Sequence, residues 1–310
     1  MRYQFAILAA CILLAGCSKS DRNALRLIYS GSLDGYLEPC GCKEGKVGGL
    51  ARLAGAAHDS LKKWKNSALL LDAGDFGETY ILPGDPKNRY LLQAYQAMHY
   101  DAINVTAQDL IAGLETLKWA ADSLGLPLIS ANLIQGDSTR HPFPGWVIRK
   151  AWNKRVGIIG IGSIRPLELR LSGNAELSFT DPETAIRRAL EQVRPQCDMV
   201  ILLCDLNSRS TREMAVKIAG IDLIISTMEV TPTSIVRKFG GAYVAGTSRK
   251  GKALTILTLR QAADSLACGF TRTLLDSTFR SEAAVERIVA EYKKTRPQNE
   301  PKNVYYGGEE

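Results

Sequence analysis

The chain has 310 residues, 45% of them hydrophobic and 23% charged, with a formal net charge of +7. That apolar share at that length excludes a disordered chain and supplies a sizeable α/β core. The charge is modest: on a domain tethered to a membrane it suits an anionic lipid surface, and its plain reading is a solvated surface; no basic run interleaved with aromatics points to nucleic acid as a partner.

Residues 1–16 open with Met1-Arg2-Tyr3, continue through an apolar run from Phe5 to Ala15 and end at Gly16. A positive start, a short apolar run and small residues make a secretory signal, too short to span a bilayer. Leu14-Ala15-Gly16-Cys17 resembles a bacterial lipobox, which implies lipidation of Cys17; a chance cysteine in an ordinary signal is the alternative. Ser18 is not the aspartate that holds such proteins in an inner membrane, so the expected place is the periplasmic face of the cell envelope, at an outer membrane where one exists. Residues 17–24 are the lipidated cysteine and a short tether. At about 3.3 Å per residue the tether reaches roughly 20 Å, which keeps the domain against the membrane.

Strand and helix patterns then alternate, and the domain is expected over residues 25–277. Leu25–Ser30 reads as a strand, Gly49–Trp64 as a helix and Ala68–Asp72 as a strand. Tyr90–Met98 is a helix, Ala102–Val105 a strand, Leu114–Leu124 a helix, and Leu128–Leu133 and Arg155–Ile161 are strands. Pro182–Val193 is a helix with proline in its first turn, followed by the strand Val200–Cys204, the helix Arg212–Ala219 and the strand Asp222–Ser226. The pattern turns to β at Tyr243–Gly246, Ala253–Leu259 and Phe270–Leu275. A closing amphipathic helix is expected within residues 278–294, with a disordered tail at 295–310. Such alternation predicts layered sheets covered by helices, with chemistry at the carboxyl ends of strands.

Leu69-Leu70-Leu71-Asp72-Ala73-Gly74-Asp75 is a buried strand delivering a carboxylate to a loop. Together with Gly48-Gly49-Leu50-Ala51-Arg52-Leu53-Ala54, Tyr100-Asp101-Ala102-Ile103-Asn104-Val105 and Pro127-Leu128-Ile129-Ser130-Ala131-Asn132-Leu133, it resembles in order the secreted 5′-nucleotidases of the calcineurin-like metallophosphoesterase superfamily. The resemblance implies an αββα sandwich of two mixed sheets flanked by helices, and a two-metal phosphoesterase ancestry. Where that family carries D-x-H-G, the chain has Ser32-Leu33-Asp34-Gly35; where it carries GNHE, the chain has Thr106-Ala107-Gln108-Asp109. Two later histidine positions read as Asp205 and as Thr227-Met228-Glu229-Val230. Of the family's metal-binding positions Asp75 is kept. Asp34, Asp75, Gln108, Asp205 and Glu229 are the candidates for an oxygen-ligand site holding one divalent cation such as Mg²⁺, Ca²⁺ or Mn²⁺. The competing reading, which we favour, is that they fill loops whose ligands were lost. His58, His99 and His141 lie outside the family's cage positions and read as structural.

Pro39-Cys40-Gly41-Cys42 lies between the first strand and the GGLARLA helix. Cys40 and Cys42 form either a strained, easily reduced disulfide or half of a soft-metal site with Cys204 as a third thiol. The plain alternative pairs one of them with Cys197, Cys204 or Cys268 as a staple. The loop resembles a PCGC group of divergent 5′-nucleotidase-like proteins, some with selenocysteine there, which implies redox use with a periplasmic thiol or electron-transfer partner. Tyr306–Glu310 resembles the start of a c-type haem segment, but no C-x-x-C-H follows, so no haem is expected for this chain. Three functions stay open: a phosphoesterase fold turned to thiol redox or metal binding, a phosphoesterase with a rebuilt metal site, and a non-catalytic envelope binding module.

Overall fold

The computed structural model describes residues 24–39, 46–78, 85–136, 140–164, 176–229, 236–262 and 265–296. Cys17, Cys40 and Cys42 lie outside the described residues, as do the leader, the tether up to Asn23 and the tail from Pro297. The chain runs β1 (Leu25–Ser30), α1 (Leu50–Trp64), β2 (Ala68–Asp72), α2 (Lys87–Met98), β3 (Ala102–Asn104), α3 (Leu114–Leu124), β4 (Leu128–Ile129) and β5 (Leu133–Gln135). It continues through β6 (Trp146–Ala151), β7 (Lys154–Ile161), β8 (Leu177–Phe179), α4 (Pro182–Val193), β9 (Met199–Cys204), α5 (Ser208–Lys217) and β10 (Leu223–Ser226). The last elements are β11 (Arg237–Phe239), β12 (Ala242–Gly246), β13 (Ala253–Ala262), β14 (Ser265–Leu274) and α6 (Ala283–Thr295).

Two six-stranded mixed sheets result, ordered β14-β13-β1-β2-β3-β4 and β11-β12-β10-β9-β7-β6, with β5 and β8 as a small separate pair. In β1 the side chains alternate between two buried layers: Leu25, Leu27 and Tyr29 meet Ile158, Ile201 and Leu203 between the sheets, while Ile28 packs with Leu53, Ala57 and Leu92 under the helices. A third layer holds Ile159, Val200 and Leu202 of the second sheet against Ile186, Ala189 and Val193 of α4. Strands buried on both faces explain the unbroken apolar runs Leu69–Leu71 and Val200–Leu203.

Local signals set the helix ends. Asp181 caps α4 by accepting from Thr184 N at 2.8 Å, with Pro182 in the first turn. Asn207 caps α5 by accepting from Ser210 N at 3.0 Å, so this helix starts at Ser208 and stops at Lys217, earlier at both ends than Arg212–Ala219. The closing helix begins at Ala283 and buries Val285, Val289 and Tyr292 in the main core.

One expected strand divides. Leu128–Leu133 becomes β4 and β5, because Asn132 turns the chain out of the first sheet. Its amide donates to Gly162 O at 2.7 Å and Thr180 O at 3.0 Å, and its Oδ1 accepts from Gly162 N at 2.9 Å. Strands β6, β8 and β11 have no counterpart in the expected elements. Expected strands at 253–259 and 270–275 lengthen into the hairpin Ala253–Ala262 and Ser265–Leu274.

Candidate functional site

Parallel strands β1, β2, β3 and β4 of one sheet, and β7, β9, β10 and β12 of the other, send their carboxyl ends to a common rim. The loop after β1 runs beside the loop after β2: Ser32 N donates to Gly74 O, Asp34 N to Asp75 O and Gly35 N to Phe76 O, at 2.9, 3.1 and 2.9 Å. Asp75 takes a left-handed backbone at φ 55°, reached through Gly74 at φ 103°. A side chain at Gly74 would put its Cβ 2.4 Å from Thr106 Cγ2, so only glycine fits this approach.

Both carboxylate oxygens of Asp75 are held by hydroxyls. Thr106 Oγ1 lies 2.8 Å from Oδ1, and Thr227 Oγ1 donates to Oδ2 at 2.7 Å. Thr106 belongs to the first sheet's loops and Thr227 to the second's, so the carboxylate clasps the two layers. Behind it, Asp109 accepts from four backbone amides: Asp75 N at 3.2 Å, Phe76 N at 2.8 Å, Gly77 N at 3.0 Å and Thr106 N at 2.9 Å. Thr106 Oγ1 is also 2.9 Å from Asp109 Oδ2. One hydroxyl proton serves one oxygen at a time. Burial, with Asp75 close by, holds Asp109 well above the usual carboxylate range, against the amides and the Thr106 hydroxyl that lower it.

Other candidate ligands at the rim have internal partners too. Asp34 accepts from Arg249 Nη2 at 2.9 Å. Burial raises its pKa despite the guanidinium, which opposes the rise. Gln108 Nε2 donates to Gly77 O at 2.9 Å and stands 3.4 Å from Asp34 Oδ1. Asp205 accepts from Ser163 N and, at 2.7 Å, from Ser163 Oγ. Glu229 accepts from Arg212 Nη2 at 2.5 Å, with its Oε2 buried and without a hydrogen bond. The structure thus brings Asp34, Asp75 and Gln108 together, and holds Asp205 and Glu229 in separate pairs. Among the described residues no three His, Cys, Asp or Glu side chains are grouped to hold a cation. A bridging carboxylate needs free lone pairs on both oxygens and imidazoles beside it. A carboxylate oxygen that accepts one hydrogen bond can still coordinate a cation, so the hydroxyls on Asp75 do not exclude one. It is the lack of any imidazole or grouped ligand set beside Asp75 among the described residues that leaves the donor set unfit for a two-metal cage.

Below the rim, Asp72 is fully buried and accepts from Ser30 Oγ at 2.5 Å, Tyr95 Oη at 2.9 Å and Gly74 N at 2.9 Å. Burial pushes its pKa up to about 6 against those donors. Asn104 Nδ2 donates to Ala73 O and to Ile161 O, both at 3.0 Å, and so joins β3 to the end of β7.

The histidines are elsewhere. His58 Nδ1 is 3.0 Å from Glu282, its ring stacks on His99, and His141 bonds Leu133 O at 2.9 Å. Cys197, Cys204 and Cys268 are free thiols. Cys204 lies in the layer under α5, and burial pushes it up to about 12, far from a thiolate. Glu38 and Pro39 lead into the connection that carries Cys40 and Cys42. Glu38 is tied to Lys293 at 2.6 Å, and Lys46 at the far side is tied through its carbonyl to Arg52 at 2.7 Å.

The residues missed from sequence are the hydroxyl and cationic partners Thr106, Ser163, Arg212, Thr227 and Arg249, and the buried acceptor Asp109. Thr106 and Thr227 stand at the first positions of the two altered histidine motifs, which is the signal that would have found them.

No family model matches the chain. A probable 5′-nucleotidase from Treponema pallidum is 29% identical over 238 residues, covering 70% of this chain; the chain spans 40% of that relative's length. Among solved structures, a 5′-nucleotidase precursor from Thermus thermophilus superposes with a TM-score of 0.73 at 18% identity, over 87% of this chain and 58% of its own. The Thermus thermophilus sulfate thiohydrolase SoxB gives 0.73 at 18% identity over 88% and 60%. The calcineurin-like phosphoesterase YfkN from Bacillus subtilis gives 0.69 at 18% identity over 88% and 97%. The fold is therefore that of the 5′-nucleotidases and calcineurin-like phosphoesterases, and the chain has a 5′-nucleotidase-like homologue.

Proposed function

We propose that this is an envelope protein, held by a lipid on Cys17, in which the 5′-nucleotidase fold has given up two-metal hydrolysis and the Cys40-Gly41-Cys42 connection works as a thiol redox pair. One observation carries the first half: among the described residues no group of three His, Cys, Asp or Glu side chains stands at Asp75, the one metal position kept, whose oxygens accept instead from the Thr106 and Thr227 hydroxyls. Asp34 on Arg249, Asp205 on Ser163 and Glu229 on Arg212 support it, since each carboxylate is held by a protein donor of its own. The second half rests on the sequence: two cysteines one residue apart follow Pro39 at the rim end of β1. Reduction would take two electrons and two protons to convert the Cys40–Cys42 disulfide into two thiols, supplied by a dithiol or electron-transfer partner of the envelope.

The test combines two readings on the purified protein. Nucleoside monophosphates and a bis-aryl phosphate are offered with Mg²⁺, Ca²⁺, Mn²⁺, Zn²⁺ and Fe²⁺ in turn, and the cysteines are titrated in defined redox buffers. Expected are no turnover above the blank and a reversible couple above about −300 mV. Metal-dependent turnover that disappears in Asp75→Ala would restore the phosphoesterase reading. A couple that stays oxidised below that potential would make the cysteines a staple.

A further inference from the structure

Two segments distant in sequence place basic side chains around a tryptophan: Lys62-Lys63-Trp64-Lys65 and Lys150-Ala151-Trp152-Asn153-Lys154-Arg155. The first closes α1, and the second turns β6 into β7. These are basic runs interleaved with aromatics after all, and the fold unites them. Trp152 N donates to Asn66 O at 2.7 Å. Arg26, opposite Ala68 at the start of the β1–β2 ladder, stacks 4.8 Å over the Trp64 ring. The patch therefore lies where the parallel strands begin, at the pole opposite the rim. Ala24, the first described residue, enters β1 at this pole.

Neither run contains an acidic residue. The carboxylates facing them are engaged: Asp101 accepts from Leu70 N at 2.8 Å and lies 4.0 Å from Arg149, and Asp198 accepts from Arg155 N at 2.7 Å. Lys62 and Lys63 stand in the last turn of α1, where the helix dipole alone would favour them. That account does not reach Lys65, Lys150, Lys154 or Arg155. Trp152 and Asn153 form a two-residue hairpin turn at φ 51° and 55°, positions that ordinarily take asparagine and glycine. A tryptophan is thus held at the tip of a basic turn where a small residue would form the turn more easily.

We infer that this face lies on an anionic lipid surface, with the half-buried Trp152 at the tip of the turn nearest the headgroups, Trp64 packed inward as its support, and the lysines and Arg155 around them on lipid phosphates. For its placement the inference rests on the anchored reading of Cys17. A tether of roughly 20 Å keeps this pole, and not the rim, within reach of the bilayer.

The test uses the full chain with Cys17→Ser, so that no acyl chain contributes and the leader is common to every variant. Binding is measured to vesicles of neutral phosphatidylcholine and to vesicles made roughly one-third phosphatidylglycerol, since surface attraction scales with anionic lipid. Lys65→Glu, Lys150→Glu and Arg155→Glu together should lower partitioning onto the anionic vesicles at least tenfold, as each basic residue near such a surface is worth roughly fivefold. The matched reversal Lys46→Glu, Arg209→Glu and Lys250→Glu, at the opposite pole, should leave it within about twofold by the same reasoning. In the parent, spin-labelled lipid should quench tryptophan fluorescence, and Trp152→Phe should remove most of that quenching whereas Trp119→Phe should not; this second measurement decides if the charge variants fail to fold. Equal binding to neutral vesicles, or equal loss in both charge sets, overturns the inference. Retention on heparin without vesicle binding reassigns the face to a soluble polyanion and also overturns it. Fatty-acid labelling of Cys17 tests the anchor separately, so failure of either reading is visible alone.

Discussion

Thr227 donates its hydroxyl to Asp75 Oδ2 at 2.7 Å across 152 residues of chain, joining the loop after β10 to the loop after β2. Removing that donor should destabilise the fold more than the loss of an exposed threonine. Thr227→Val should cost about 1–3 kcal/mol in urea unfolding, because a buried acceptor loses its donor, while Thr227→Ser should recover most of it. A cost under about 0.5 kcal/mol would mean that the bond contributes little.

Thr106→Val tests the same carboxylate from the other side and exposes its link to Asp109. The bridging hydroxyl is lost from both acids, yet the backbone amides on Asp109 remain. A double-mutant cycle with Thr227→Val should be non-additive by at least about 0.5 kcal/mol, since both hydroxyls act on one group. Strict additivity would contradict the shared clasp.

Asp72 predicts a pH dependence. Its folded pKa of about 6 lies above the usual 3.8, so the folded state holds the proton more tightly than the unfolded state. No penalty operates below the unfolded value. As pH rises between the two values the unfolded chain ionises first and stability falls, and above the folded value the loss is constant. The parent should therefore lose on the order of 3 kcal/mol relative to Asp72→Asn between about pH 4 and pH 6. Equal slopes for the two proteins across that window would refute this.

At Asp34 two influences compete, burial upward and Arg249 downward, and burial is the larger. Arg249→Ala should move the carboxyl further up, observed by side-chain carbonyl NMR titration. The stability change should stay within about 1 kcal/mol, because Arg249 is largely exposed. A downward move would show that the ion pair is not what restrains Asp34.

How much of this was legible depended on what kind of residue carried it. Strands buried on both faces, such as Leu25–Ser30 and Ala68–Asp72, announce themselves as apolar runs, and Leu114–Leu124 as a helix by its period. The strand β6 escaped because Arg149 and Lys150 interrupt its alternation, and β11 because it is Arg237-Lys238-Phe239. The run Leu128–Leu133 looked continuous because buried Ser130 and Asn132 look like tolerated strand residues until their partners across the fold are known. At the rim, Asp75 was legible as a carboxylate ending a strand. Its hydroxyl partners were not, since Thr106 and Thr227 matter only through a contact made across two sheets.

Asn104 holds Ala73 and Ile161 with a single amide, and a side chain at Gly160 would put its Cβ 2.6 Å from Asn104 Oδ1. The two layers are thus joined by one side chain and closely packed at the point where their loops converge. Whatever reaches this edge is then met first by loop side chains.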